Sequence, residues 1–226
     1  QSDPSLMMCG TSYAAINAAG YLVREMRLLS DLNALRARSL HQSPFMGPTT
    51  IMRREVLLDF PEFYRSYCGE QMADADLATR ILDKQAATNL TEILYLYRIL
   101  PDSITRKNIT PRSLNLHRLI GYLSHQRRTK GRDYLEEGDI ARADQWMKEL
   151  LIDYERNNSL LHRHQAFFYL YWGQHTLAIK AITKAINTQS LQWKNIFGFA
   201  FIVLKSLLRV MSKVFTRTYY KSKMKI

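Results

Sequence analysis

Asp74 and Asp76 are two carboxylates whose spacing could serve chemistry on a hydroxyl. They sit two residues apart in Ala73-Asp74-Ala75-Asp76-Leu77, with Arg80 four residues after the second. A carboxylate within hydrogen-bond reach of a hydroxyl can take its proton as a new bond forms. Leu77, Ile81 and Leu82 follow at helical spacing, so Asp74 is predicted to open an amphipathic helix. At such a start the macrodipole and free backbone N–H groups hold a carboxylate ionised. An aspartate there also serves as a plain N-cap. Asp76, two residues on, is expected on a different face, orienting substrate hydroxyls or capping the helix. Arg53 and Arg54 follow a predicted strand, and Arg98 ends another. These are candidates to face a phosphate, although Arg53 and Arg54 also suit a solvated helix start.

Metal and redox chemistry find less support. The single Asp-x-Asp, Asp74 to Asp76, falls in a predicted helix, and no Gly-rich phosphate loop of the usual kinds is present. His162 and His164 flank Arg163 and occupy different helix faces, so no metal ligands are assigned in this chain. Cys9 and Cys68 are too few for a disulfide framework and are expected to be small structural residues in a reducing compartment.

The elements that must position these residues alternate between strand and helix as far as residue 108. Leu6 to Val23 predicts two strands meeting near Ala18 to Gly20. A helix is expected from Asp31 to Ser39, then a loop punctuated by Pro44, Gly47 and Pro48. Thr49 to Met52 predicts a short strand, Arg53 to Leu58 a helical turn, and Asn89 to Tyr97 a longer strand before the turn Pro101-Asp102-Ser103. Beyond Pro111 the pattern is helical, broken at Gly131, Gly138, Gly173 and around Thr188 to Ser190. Gly131, Gly138, Ala143 and Leu150 match Ala166, Gly173, Ala178 and Ala185 at an offset of 35 residues. Small residues so placed let paired helices approach closely, as in tetratricopeptide-like hairpins or two ordinary helical hairpins.

A chain of 226 residues can bury a real core, and its 46% apolar content excludes wholesale disorder. The net charge of +12 favours an anionic partner. Seven basic residues and no acidic one lie between Lys205 and Lys225. Lys205, Arg209, Lys213 and Arg217 recur every four residues, one basic stripe on a helix flanked by Leu207, Leu208, Val210, Met211, Val214 and Phe215. Such a helix lies on an anionic membrane surface, with Trp193, Tyr219 and Tyr220 near the boundary. The alternative is a terminal helix packed on a core with its basic face in water. No run reaches the length of a membrane span, no signal-peptide pattern follows Gln1, and no zinc-finger or RNA-binding motif supports nucleic acid as a partner.

Taken in order, GPTTIMRREVL, Ala73-Asp74-Ala75-Asp76-Leu77 with Arg80, and Tyr97-Arg98 followed by Asp102-Ser103-Ile104-Thr105-Arg106 resemble the acceptor half of a family 2 glycosyltransferase. The resemblance covers roughly residues 1 to 108. It implies an α/β fold, an incomplete GT-A (Rossmann-like) mixed sheet, followed by an all-α helical-hairpin extension over 109–190 and a basic membrane-surface tail over 191–226. It implies an inverting transfer with Asp74 as the base, and Asp76, Arg53, Arg80 and Arg98 at the substrate. The donor would be a nucleotide sugar, the acceptor a saccharide or a lipid-linked one in bacterial surface polysaccharide synthesis. The place would be cytoplasmic and peripheral, at the inner face of the cell membrane. A divalent metal, Mg or Mn, is expected in a full-length enzyme with its ligands in an N-terminal nucleotide-binding half. Departures are Ala73 in place of the usual Glu and Leu100 where relatives often carry His. The Gln-x-x-Arg-Trp signature of polymer-making relatives is absent, since His125-Gln126-Arg127-Arg128 does not match, which favours single additions. The competing expectation is a non-catalytic interaction or membrane-docking module on a vestigial glycosyltransferase piece.

Overall fold

The structure, a computed structural model, describes residues 3–60, 62–100, 103–107, 109–189 and 192–223, without the side chains of residues 57, 70, 104, 107 and 210–223. Two compact units divide between Leu151 and Ile152. The division lies well beyond the expected boundary at 108, because the first helices after residue 110 pack on the α/β elements.

The first unit is built around one central strand, β1 (Leu6–Ile16), buried along most of its length. An antiparallel hairpin joins it to β2 (Leu22–Met26). Gly20 turns the chain at φ 85° and the Asn17 carboxamide oxygen accepts from the Tyr21 N–H at 2.9 Å. Helix α1 (Leu32–Ser39) follows, capped by Asp31, whose carboxylate accepts from the Ala34 N–H at 2.8 Å. A 3₁₀ turn at Gly47–Thr49 leads into β3 (Ile51–Met52) and the short α2 (Val56–Asp59). β3 pairs antiparallel with Met8 and Cys9, whereas β2 pairs with residues 13 to 16. β2 and β3 therefore share one edge of β1, end to end. The other edge is taken by β4 (Ala86–Arg98), parallel to β1 from Leu6↔Ala86 to Ile16↔Arg98. The fold is thus mixed α/β with a small open sheet. Among the described residues β4 has no strand partner beyond β1. Past Thr91 it leaves Leu94 and Leu96 exposed.

Helix α3 (Gly69–Lys84) is the crossover between β3 and β4. Its Leu77, Ala78, Ile81 and Leu82 face the sheet and meet Met8, Leu35, Val56 and Ala87 in the main core. Its other side carries Met72 and Ala75 against Ile120 of α5 (Pro111–Lys130). The short α4 (Ile104–Lys107) precedes α5. A Thr110–Ser113 capping box starts α5, and Gly131 at φ 85° ends it. Where α5 crosses the end of α1, Gly121 leaves no space for a Cβ, which would stand 2.0 Å from the Leu40 carbonyl oxygen.

Helix α6 (Ile140–Arg156) runs into the second unit, which continues with α7 (Leu160–Tyr171), α8 (His175–Thr188) and α9 (Trp193–Lys223). α7 and α8 form a close hairpin turning at Gly173, φ 69°. Ala166, Ala178 and Ala185, three members of the 35-residue correspondence, are fully buried in its core with Ile182 and Ile202. Small residues at these places let the helix axes approach. Ser190 of the expected break lies outside the described residues, as do Pro101 and Asp102 of the turn after β4. Among the described residues no helix is long and apolar enough to cross a membrane.

Candidate functional site

The predicted start of the central helix is corrected by the structure. α3 opens at Gly69, directly after the 3₁₀ turn Ser66–Cys68, with Gly69 at φ 60°. Asp74 is therefore the sixth helical residue, beyond the first turn, where the macrodipole and free N–H groups no longer act. It is not an N-cap.

Asp74 instead opens onto a cleft of about 290 Å³ between the Gly47–Thr50 segment, β3 and α3, lined also by Met8, Met52, Tyr64 and Leu77. Thr49 fixes one wall. Its hydroxyl accepts from the Thr11 N–H at 3.1 Å and donates to the Met46 carbonyl at 2.8 Å, tying the 3₁₀ turn to β1. Gly47 then lies so close to Asp74 that a Cβ there would stand 1.9 Å from Oδ2. The side chain is exposed to solvent at the cleft, with Gly47 close against one carboxylate oxygen. This partial desolvation raises its pKa above the ordinary aspartate value, against hydrogen bonds from the Ala75 and Asp74 N–H groups that lower it. The arrangement can hold an aspartate more basic than usual beside an open space.

Asp76 has the opposite environment. It is fully buried and meets Arg80 Nε at 2.9 Å and Arg65 Nη1 at 3.8 Å. Arg80 is 3% exposed and also donates to the Glu62 and Phe63 carbonyls. Desolvation lowers its pKa despite Asp76. Both side chains expected at the substrate are thus held by protein groups. They belong to a buried chain of charges: Arg65 to Asp133 at 2.9 Å, Asp133 to Arg127, and Arg127 to Asp83 at 2.7 Å. Burial pushes the Asp133 carboxyl up, but Arg65 and Arg127 outweigh it and hold the pKa below the ordinary value. Cys68 beside this network has its thiol pushed up to about 12, mainly by burial, which keeps it an unreactive structural residue.

The arginine candidates lie at opposite ends of β1. Arg53 Nε donates to the Leu6 carbonyl at 2.7 Å, near the start of the strand. Arg98 Nη1 donates to the Ala18 carbonyl at 2.9 Å, at the far end, and caps the β1–β2 hairpin. Met8 lines the Asp74 cleft and Ile16 pairs with Arg98, so about 26 Å of strand separates them. The residues following Arg98 do cohere: Arg106 is buried, lies 5.4 Å over the Tyr97 ring, and donates to the Tyr97 hydroxyl at 2.9 Å and to Ser103 Oγ at 2.7 Å. They form a polar corner apart from the cleft.

Asp74 and Asp76 do not make a metal centre, since one faces the cleft and the other is enclosed by two guanidinium groups. Among the described residues no group of three or more His, Cys, Asp or Glu side chains converges to hold an ion. In the basic stripe, Lys205 is exposed, but Arg209 turns inward and donates to the Gly173 carbonyl at 3.2 Å and to His175 Nε2 at 2.9 Å. The side chains of Lys213, Arg217, Tyr219 and Tyr220 lie outside the described residues.

Two cleft residues, Gly47 and Tyr64, had not been singled out as functional. Gly47 carries a visible signal, a glycine before proline inside the GPTTIMRREVL motif. Tyr64 carries none, because only the fold brings it to the cleft. Comparisons with protein-family models, with curated proteins and with solved structures found no match for this chain.

Proposed function

We propose that this chain is the acceptor-side portion of an inverting, single-addition family 2 glycosyltransferase of GT-A type. The observation that carries the proposal is Asp74, an aspartate of raised pKa facing an open cleft at the motif position where such enzymes place their base. An acceptor hydroxyl in the cleft would attack the anomeric carbon of the donor. The carbon–oxygen bond to the nucleotide diphosphate breaks, the electron pair leaves with the diphosphate, and the hydroxyl proton passes to Asp74. A carboxylate more basic than ordinary aspartate is the better proton acceptor near neutral pH. The nucleotide sugar and its Mg or Mn ion would be held by a further half of the protein. Among the described residues β4 pairs with β1 alone, which is consistent with a sheet that continues at its other edge. The acceptor would be a saccharide or a lipid-linked one, met at the cytoplasmic face of a bacterial membrane.

In a protein containing both halves, Asp74→Asn is expected to lower turnover about 10²–10⁴-fold with donor binding retained. Unchanged turnover removes Asp74 as the base. A second reading, a non-catalytic docking module on a vestigial transferase piece, is favoured by the enclosure of Asp76 and Arg80 in protein contacts. Silent substitution of Asp74 would support it.

A further inference from the structure

Helix α9 is built inside out. Between Trp193 and Arg209, the buried or half-buried residues are Asn195, Gly198, Ile202, Val203, Ser206 and Arg209, and only Ile202 is a fully buried large hydrocarbon. Ile202 and Gly198 pack against Ile182, but the rest of the contacts are polar: Asn195 donates to the Ala185 and Gln189 carbonyls at 3.1 Å, closing the end of α8, and Ser206 meets His175 Nδ1 at 2.7 Å. The opposite side presents Trp193, Phe197, Phe201, Leu204 and Leu208 at helical spacing, with Trp193 66% and Phe197 72% exposed. Phe167 of α7 extends this surface across a shallow groove of about 400 Å³. A helix that only packed on a core would bury the hydrocarbon and expose the polar side. A contiguous aromatic and aliphatic face of this kind marks a surface that meets something apolar.

Charge identifies the partner. Residues 156–226 contain twelve Lys and Arg and no Asp or Glu, so this segment carries the whole of the +12 formal charge. Lys194 lies 5.8 Å over the Trp193 ring and Lys205 5.8 Å over the Phe201 ring, so cations border the apolar face. Lysine stems can lie along such rings while the ammonium groups rise to phosphates. A second copy would set one strongly cationic segment against another. We infer that the Trp193–Phe197–Phe201–Leu204–Leu208 face of α9 lies in the surface of an anionic lipid leaflet, flanked by Lys194 and Lys205. The face differs from the basic stripe, whose Arg209 is occupied within the fold. The inference deepens the membrane contact of the proposed function and does not depend on the transfer chemistry.

The test is flotation of the whole chain with vesicles of phosphatidylcholine mixed with anionic phosphatidylglycerol, against vesicles of phosphatidylcholine alone. The wild type is expected to float with the anionic vesicles, and Phe197→Ser combined with Phe201→Ser to weaken partition about tenfold or more. Both positions face outward, and an unchanged circular-dichroism spectrum checks that the variant is folded. Independently of the double substitution, brominated anionic lipid should quench a component of wild-type fluorescence that the aromatic-for-aromatic change Trp193→Phe removes. Absence of flotation, or flotation unaffected by the double substitution, overturns the inference. A stable dimer that the double substitution dissociates, with no vesicle binding, also overturns it and assigns the face to a second copy. Transferase activity enters none of these readouts, so the proposed function stands or falls separately.

Discussion

Asp74 and Asp76 share one helix but not one chemistry. One carboxylate ends in a cleft against Gly47, the other between two buried guanidinium groups. The raised pKa of Asp74 sets the direction of its pH dependence. A base must be ionised, so the acidic limb of a turnover profile is expected above the ordinary aspartate range and should vanish with Asp74→Asn. Its stability effect has the opposite sense: a raised folded pKa favours the fold at low pH, and that contribution is lost as pH rises through it. Asp74→Asn should therefore leave the thermal midpoint at neutral pH unchanged or raised. Asp133 behaves in reverse. Its folded pKa is depressed, so its contribution is present above the unfolded value near 3.8 and is lost as pH falls through the folded one. Asp133→Ala removes the carboxylate that Arg65 and Arg127 share, leaving Arg127 to Asp83 and Arg65 to its longer contacts with Asp76 and Glu136, and urea unfolding is expected to show a loss of about 3 kcal/mol.

At the scale of elements, α3, α5 and β1 decide where the cleft lies. Gly121 sets how closely α5 packs on the end of α1, because its Cβ would meet backbone at Leu40 rather than a side chain that can move. Gly121→Ala should cost about 1–3 kcal/mol by overpacking, even though alanine favours a helix by up to about 1 kcal/mol. A thermal midpoint equal to wild type would show that α5 shifts freely along α1. The hairpin near Ala18 to Gly20, the helix beginning near Asp31, β3 and the long strand before Arg98 were all legible in the sequence, since each carries its own local signal. The start of α3 was not. Glu70 to Ala73 favour a helix, but the acidic pair Asp74 and Asp76 mimics a helix start, and Met72 seated against α5 accompanies the earlier turn. Local pattern thus assigned to Asp74 a boundary that lies at Gly69.

For the molecule as a whole, long-range pairing is what the sequence concealed. Arg65, Asp76, Asp83, Arg127 and Asp133 are scattered over about seventy residues, with no spacing rule to connect them. They join α3, α5 and the segment after Gly131 into the first unit, so the units part at 151/152. The cationic tail was visible, but which face of α9 looks outward depended on where α7 and α8 lie against it. Strand β4 has a consequence of another kind. Among the described residues it pairs with β1 alone, and Leu94 and Leu96 stand exposed on it, a template on which strands from other molecules can grow. Concentrated preparations of this chain are expected to self-associate through that strand. Leu96→Lys should raise the concentration at which light scattering still reports monomer, and an unchanged threshold would mean that the strand is sheltered in solution.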